Sequence, residues 1–334
     1  MGRLFVAIDR WLERLEADGE GWTRERVSPG SRLQCVTVDP RRPNRLFCGS
    51  FTDGLLRSTD GGATFERVGE AVIGPDAVMS VHVDPSDPDC IYAGTEPSQL
   101  YRSENGGTEW EQLEGIREVD SVDEWAFPPR PDTDHVRCLA IAPDDPERLY
   151  VGIEAGATLI SRDRGASWID RPDGSRRDPH WLSTHSHTPE RVYMAAGDGF
   201  AISQSRGERW EHPQEGLDHR YVWGLTLDAE DPDRVLVSAA SGASRAHRAE
   251  TADSYVYRWD GNGPWESLEG SGLPMGEGVM RSVLASGSEG GEYFAANNHG
   301  VYRSRSGGDE WESLVANWTD DYSTSAPRGA VHLP

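Results

Sequence analysis

The chain of 334 residues contains no lysine, so all 33 of its basic side chains are arginines. Asp and Glu together number 57, which gives a formal net charge of −24. Salt screens the repulsion between carboxylates on such a surface, so the composition predicts a protein of a halophilic prokaryote. The shortage of positive charge excludes nucleic acid as an expected partner, because no stripe of basic residues is available to neutralise phosphates.

Long hydrophobic runs are also missing. No apolar segment approaches the ~20 residues needed to span a bilayer, and the first residues lack the apolar core and cleavage site of a secretory signal. The four cysteines (Cys35, Cys48, Cys90 and Cys138) show no CxxC spacing, which favours buried free thiols over a cysteine metal site. We therefore expect a cytoplasmic protein, monomeric and without membrane contact.

What the sequence does contain is a repeat. The segment VTVDPRRPNRLFCGSFTDGLLRSTDGGATFERV at residues 36–68 returns at residues 81–113 and 141–171, and three looser copies follow. Each copy holds four short alternating segments, a to d, separated by Gly, Pro and Asp, which is typical of antiparallel strands. Four strands in every ~42–58 residues predict the blades of a β-propeller, so the fold class is all-β.

The turn between strands c and d has its own motif, Ser-x-Asp/Asn/Ser-x-Gly-x-x-Trp/Phe. It occupies residues 58–65, 103–110, 161–168, 203–210 and 304–311, with a degenerate copy at 258–265. The polar side chain at its third position is expected to cap backbone N–H groups, the Gly to take a positive φ, and the aromatic ring to pack into the blade. This motif predicts a structural role and no catalysis.

The two ends of the chain complete the count of blades. Residues 3–27 resemble strands b, c and d of a blade without strand a, and residues 328–333 resemble a lone strand a. Pairing them gives a seventh blade and closes the ring, which removes exposed strand edges. Six blades with loose ends is the alternative. The expected single domain has blade 1 at 3–27 plus 328–333, and the others at 33–68, 78–113, 136–171, 181–212, 222–268 and 279–315.

Binding residues are expected on the face opposite the c–d turns, where loops from every blade converge on the axis. Aromatic rings there suit sugars or other flat ligands, and arginines suit carboxylates or phosphates. An alternative is that these arginines and histidines only brace the protein's own carboxylates. The candidate ligand-binding residues are Trp125, Arg137, His180, His219, Arg220, Tyr221, Trp223, Arg281, Asn298 and His299.

The repeats resemble the BNR/Asp-box superfamily over nearly the whole chain. That group includes sialidases, sortilin-like receptors, photosystem-assembly propellers and many prokaryotic proteins described as glycosyl hydrolase or WD/YVTN/BNR-like repeat proteins. A sialidase would need an arginine triad, a Tyr nucleophile and acidic groups, for which Arg137, Arg220, Arg281, Tyr221 and Glu154 are candidates. The Phe/Tyr-Arg-Ile-Pro motif that begins sialidase domains is absent from the sequence.

Two other functions fit the resemblance better. The first is a scaffold that binds a protein or a small molecule on the loop face, since a fold alone does not imply catalysis. The second is a hydrolase or lyase that holds a divalent metal over the axis and acts on a carbohydrate or another small anionic substrate. Its candidate metal ligands are His135, His180, His219 and His299, and its candidate catalytic residues are Glu154, Asp198 and Tyr221.

Overall fold

The structure, a computed structural model, describes residues 2–19, 21–39, 41–74, 76–315, 318 and 322–334. These residues form seven antiparallel sheets, which are the blades of a β-propeller, and the predicted fold class is confirmed. In blades 2 to 7 the main strands follow one another from the axis outwards and pair with their neighbours in sequence. Among the described residues, no helix has both the length and the apolar character that crossing a bilayer requires.

The strands are numbered in chain order. Blade 1 begins with β1 (Arg3–Ile8), β2 (Trp11–Asp18) and β3 (Gly21–Val27). Blade 2 contains β4 (Leu33–Val38), β5 (Leu46–Ser50), β6 (Gly54–Ser58) and β7 (Glu66–Val68). Blade 3 contains β8 (Ala77–Val83), β9 (Ile91–Glu96), β10 (Leu100–Ser103) and β11 (Glu111–Gln112). Blade 4 contains β12 (Val136–Ala142), β13 (Asp145–Ile153), β14 (Ala157–Ser161) and β15 (Ile169–Asp170).

Blade 5 contains β16 (Pro179–His185), β17 (Thr188–Ala196) and β18 (Gly199–Ser203), and its outer strand is reduced to a bridge between Ile202 and Glu211. Blade 6 contains β19 (Tyr221–Leu227), β20 (Arg234–Ala240), β21 (Asp253–Asp260) and β22 (Glu266–Ser267), and β23 (Gly276–Glu277) also pairs with β21. Blade 7 contains β24 (Val283–Ser286), β25 (Tyr293–Asn297), β26 (Gly300–Ser304) and β27 (Glu312–Ser313). The last strand, β28 (Gly329–Leu333), completes blade 1.

Short helices occur only in loops of the described chain. The α-helix α1 (Ala243–His247) lies in the insertion between β20 and β21, and a 3-10 turn follows it at Ala249–Thr251. Two further 3-10 turns, Glu114–Arg117 and Val122–Glu124, lie in the long loop between blades 3 and 4.

The hydrophobic core lies between neighbouring blades. Phe47 and Leu55 of blade 2 pack against Val81 and Ile91 of blade 3, and all four are buried. Alternation along each strand sends successive side chains to opposite faces, so one blade contributes to the core on both of its sides. This stacking fixes the blades relative to one another and thereby fixes the loops at the axis.

The c–d turns make the hydrogen bonds expected from their sequence. In the first turn the Ser58 hydroxyl accepts a bond from the Gly62 N–H (2.9 Å), and the Asp60 carboxylate accepts one from the Thr64 N–H (2.9 Å). Gly62 has a φ of +88°, a conformation that L side chains disfavour. The Ser103 hydroxyl accepts the same bond from Gly107 in the next blade (2.9 Å).

The ring closes through blade 1. β28 pairs antiparallel with β1, with Leu4 opposite His332 and Ala7 opposite Gly329. A second connection joins the ends, because the Tyr322 hydroxyl donates to the buried carboxylate of Glu13. The predicted pairing of the two ends is therefore confirmed.

Candidate functional site

One position of the blade repeat supplies the side chains at the centre of the ring. The innermost strands of blades 2 to 6 each begin with a β-bulge, in which one extra residue interrupts the pairing. Bulges re-aim side chains and are frequent beside functional sites. The five extra residues, and those in corresponding places ahead of β24 and β28, are Gln34, Met79, Arg137, His180, Trp223, Arg281 and Arg328. The site is thus built from one residue of each blade.

These residues surround a cavity of about 590 Å³ on the axis, a size within the range of small-molecule sites. Five of them line it directly: Gln34, Met79, Arg137, Trp223 and Arg328. His180 and Arg281 are buried against the lining residues Trp223 and His247. A second space of about 290 Å³ continues along the channel and shares four lining residues with the cavity. We call the 590 Å³ space the axial cavity.

The lining of the axial cavity reverses the charge balance of the chain. Its arginines are Arg32, Arg130, Arg137 and Arg328, and its carboxylates are Asp9, Glu154 and Asp178. In the whole sequence, by contrast, 57 acidic residues face 33 arginines. Positive charge is therefore concentrated at the axis of an otherwise acidic molecule, where it attracts anions.

Only some of these arginines are neutralised. Arg130 makes a two-pronged ion pair with Glu96 (2.6 and 2.5 Å), and the Arg137 Nε lies 3.8 Å from a Glu154 oxygen. Among the described residues, neither Arg281 nor Arg328 forms an ion pair with a carboxylate. Burial, followed by the charge of Arg137, lowers the pKa of Arg328 to about 10. Burial and the charges of Arg328 and Arg137 also lower the pKa of Arg281.

Glu154 is the carboxylate at the centre of the cavity wall. It follows β13 directly, and the His135 Nε2 lies 2.8 Å from its Oε2. Burial opposes the ionisation of this group, but the hydrogen bond from His135 and the charge of Arg137 outweigh it and lower the pKa of Glu154. Glu154 is therefore an anion at neutral pH, which suits a fixed charge or a ligand better than a general acid.

Tyr221, His247 and Arg281 form a chain of hydrogen bonds along another side of the cavity. Burial and the charge of Arg281 lower the pKa of His247, so its ring is neutral. The Arg281 Nε–H donates to His247 Nδ1 (3.0 Å), which leaves His247 Nε2–H to donate to the Tyr221 oxygen (3.1 Å). Burial, followed by the charges of Glu154 and Asp178, raises the pKa of Tyr221. The phenol is thus held as a neutral hydrogen-bonding group rather than as the anion a nucleophile requires.

The sequence-predicted residues divide into two groups. Arg137, His180, Tyr221, Trp223 and Arg281 come together with His135 and Glu154 at the axis, as their positions ahead of or within the inner strands suggested. The others lie away from the cavity.

The candidates outside the cavity lie in different surroundings. Trp125 is buried in the core beside blade 4, and its Nε1–H donates to Ser121 (2.8 Å). His219 stacks on Tyr255, and Arg220 is exposed. The remaining three are engaged elsewhere: Asp198 in an ion pair with Arg176, Asn298 in bonds to Gly278 and Ser323, and exposed His299 beside the Gly278 carbonyl.

The site also contains residues that were not among the candidates named from the sequence, including Arg328, Asp178, Arg130 and Arg32. Arg328 could have been predicted from its position, because it lies just before the ring-closing strand as Arg281 lies just before β24. Asp178 lies just before Pro179, where its Oδ1 accepts a hydrogen bond from the Ala155 N–H (2.8 Å). Ala155 has a φ of 52°, so this turn is held in an unusual conformation next to Glu154.

Comparison with known proteins supports the fold and does not extend to a family. A scan against protein-family models found no match, and no curated protein matches the sequence. Among solved structures, the GH74 enzyme of Niastella koreensis is similar with a TM-score of 0.65 and 17% identity, over 98% of this chain and 53% of that one. The GH74 xyloglucanase of Xanthomonas campestris gives 0.64 and 18%, over 97% and 52%.

A third similar structure is of comparable length. YCF48 bound to D1 peptide has a TM-score of 0.62 and 16% identity, over 91% of this chain and 89% of YCF48. The present chain spans only about half the length of the two GH74 enzymes. At these identities the likeness establishes a shared propeller fold and nothing about activity.

Proposed function

We propose that this propeller binds a small molecule carrying a carboxylate or phosphate group in the axial cavity. The observation that carries the proposal is the grouping of Arg137, Arg281 and Arg328, in which burial and the charge of Arg137 lower the pKa values of the other two arginines. Like charges held together in a buried place cost free energy, and such arrangements are concentrated at functional sites. An anionic ligand would neutralise them.

Unpartnered donor groups support the same ligand chemistry. The Arg137 Nε and the Arg281 Nη2 are buried and have no hydrogen-bond partner. Arginine presents a planar fork of N–H donors that matches carboxylates and phosphates. The ring of Trp223 and the hydroxyl of Tyr221 would contact the rest of the ligand, which gives the site both a flat apolar face and a polar group.

The test is calorimetric titration with inorganic phosphate, citrate and the neutral sugar cellobiose as probes. We expect phosphate or citrate to bind and cellobiose not to bind, with an affinity that falls as KCl is raised. Arg328→Gln and Arg137→Gln should each weaken binding about tenfold or more. The matched control is Arg220→Gln, because Arg220 is exposed and outside the cavity.

Two results would refute the proposal. One is that neither anion binds more tightly than cellobiose. The other is that Arg328→Gln and Arg137→Gln both bind like the unmodified protein. Arg281 is left unchanged in this series because it is fully buried, and its replacement would confound binding with folding.

A peptide is the second candidate ligand, and the comparison with YCF48 favours it. That propeller, of nearly the same length, was solved with a D1 peptide. A free C-terminal carboxylate offers the arginines the same chemistry as a small anion. Short peptides with free and with amidated C-termini separate the two cases, since only binding that needs the peptide chain as well as the free carboxylate supports a peptide ligand.

A further inference from the structure

We propose that His180, Glu154 and Asp178 form a binding site for a divalent transition-metal ion in the wall of the axial cavity. The ligand atoms are His180 Nε2 and one oxygen of each carboxylate, and all lie within 4.8 Å of one another. The site stands on its own geometry and does not depend on whether the cavity binds an anion.

The histidine is prepared to act as a ligand. Its Nδ1 lies 2.7 Å from the Val222 carbonyl oxygen, which fixes the proton of the neutral ring on Nδ1 and leaves a lone pair on Nε2. Nε2 is buried and has no hydrogen-bond partner. Metal-binding histidines commonly donate their other N–H to a carbonyl or carboxylate in this way. A buried acceptor without a partner is costly, and a metal ion would satisfy it.

Both carboxylates are oriented in the same manner. The Glu154 Oε2 is bound by His135, which leaves Oε1 facing His180 Nε2 at 3.9 Å. The Asp178 Oδ1 is bound by the Ala155 N–H, which leaves Oδ2 facing His180 Nε2 at 3.6 Å. These separations are too long for hydrogen bonds. They are close to the spacing of atoms that each lie about 2.0–2.2 Å from one ion.

The chemistry of the three ligands selects a class of metal. One imidazole with two carboxylates suits Zn²⁺, Mn²⁺ or Fe²⁺ better than Mg²⁺, which prefers oxygen ligands and water. Glu154 and Asp178 both line the axial cavity, so three protein ligands would leave open coordination positions accessible from it. If the cavity also binds an anion, that anion and the metal would be neighbours.

The competing explanation is that His180 is protonated and pairs electrostatically with both carboxylates. The position of Arg137 is compatible with both a bound metal and a protonated His180, because Arg137 approaches Glu154 at Oε2 and leaves Oε1 free. The two arrangements differ in what happens when metal is added. An imidazolium has no lone pair to offer, and a neutral ring in this geometry does.

The experiment uses the full chain without a histidine tag, stripped with a chelator and dialysed. Zn²⁺, Mn²⁺ and Mg²⁺ are then titrated separately by calorimetry, and bound metal is measured by elemental analysis after gel filtration. We expect one equivalent of Zn²⁺ or Mn²⁺ and no saturable binding of Mg²⁺ under the same conditions. With Co²⁺ as probe, visible absorption of a nitrogen- and oxygen-ligated ion should appear with the same stoichiometry.

Variants identify the ligands. Asp178→Asn should weaken Zn²⁺ binding by tenfold or more and abolish the Co²⁺ spectrum, and its partly exposed side chain makes the change tolerable for folding. His180→Gln should do the same, with folding checked by circular dichroism. His219→Gln is the matched control, because that histidine stacks on Tyr255 away from the site.

The inference is overturned if less than about 0.2 equivalents of every transition metal bind, or if Asp178→Asn binds Zn²⁺ as tightly as the unmodified protein. Phosphate and citrate titrations of the stripped protein are run in parallel. Anion binding without metal binding would remove the metal site and leave the proposed function intact. Metal binding without anion binding would support the metal site and refute the proposed function.

Discussion

The guanidinium of Arg281 lies over the indole ring of Trp223, with its carbon 4.2 Å from the ring centroid. The Arg137 guanidinium approaches the same ring, at 4.7 Å. Attraction between a cation and an aromatic face is strongest for tryptophan and grows as the pair is desolvated. Trp223 thus stabilises two charges that repel each other.

Replacing Trp223 by Leu should weaken citrate or phosphate binding about twofold to thirtyfold, corresponding to ~0.5–2 kcal/mol of cation–π attraction. Titration calorimetry measures the change. Trp125→Leu is the control, since Trp125 is equally buried but lies in the core away from the cavity. Both variants should unfold at lower temperature. Equal losses of affinity in the two would mean that the effect of Trp223 is only structural.

The protonation of Arg328 should set an upper pH limit to anion binding. Its pKa is lowered to about 10, by burial first and then by the charge of Arg137. The charged form attracts the anion, so affinity should be constant from pH 7.5 to 9 and fall as the pH rises through about 10. Arg328→Gln should bind more weakly at pH 8 and should lack this decline. An unchanged decline in Arg328→Gln would assign the titration to another group.

Loss of the closing strand should destabilise the whole ring. Removing residues 329–334 exposes the edge of β1 and leaves Leu4 and Phe5 without part of their cover. We expect a drop of more than 10 °C in melting temperature, or aggregation through the open edge. Leu333→Ala, which keeps the strand, should cost about 2–4 kcal/mol in free energy of unfolding. Removal of exposed Pro334 alone is the control and should have no measurable effect.

His82 should make the protein sensitive to mild acid. It lies on β8 beside the channel, and burial lowers its pKa to about 4, although Asp84 acts in the opposite direction. The unfolded chain takes up this proton near pH 6.5 and the folded protein only near pH 4. Stability from this group is therefore complete above pH 6.5 and is lost as the pH falls from 6.5 towards 4.

The loss stays below about 1.4 kcal/mol for each pH unit, because one group binds at most one proton and this residue is partly exposed. Urea unfolding of His82→Gln at pH 7.5 and 5.0 should show a smaller difference than the unmodified protein. Exposed His212 provides the control, and His212→Gln should retain the full acid sensitivity. An acid response that is unaffected by His82→Gln would contradict this assignment.

Much of the fold was predictable because its determinants are local. Alternation along short strands repeats in each blade, and the hydrogen bonds of the Ser58 and Ser103 turns recur in three other blades. The ring then follows from counting blades and pairing the ends. The site was only partly predictable. The bulges that turn Arg137 and Trp223 towards the axis were not visible in the hydrophobic pattern, because one extra residue leaves the alternation on either side almost unchanged.

The candidate residues that lie away from the axial cavity show that the direction of a loop side chain was also not predictable from the sequence. Arg220 is one residue before β19 and is exposed, whereas Arg328 is one residue before β28 and lines the cavity. Trp125 follows a 3-10 turn that folds its ring back into the core. His247 reaches the cavity through α1, in an insertion with no counterpart in the other blades. Loop direction depends on packing between blades, which the sequence of a single blade does not contain.

The strand that seals blade 1 begins one residue after Arg328, so completing the architecture and completing the cavity are the same event. A molecule whose ends have not yet met lacks one of the cationic groups at its axis. Occupancy of the site would then be confined to fully assembled molecules, and each bound ligand would shift the population towards them. Ligand binding would in this way stabilise the closed ring, and the pairing of β28 would be required both for closure and for binding.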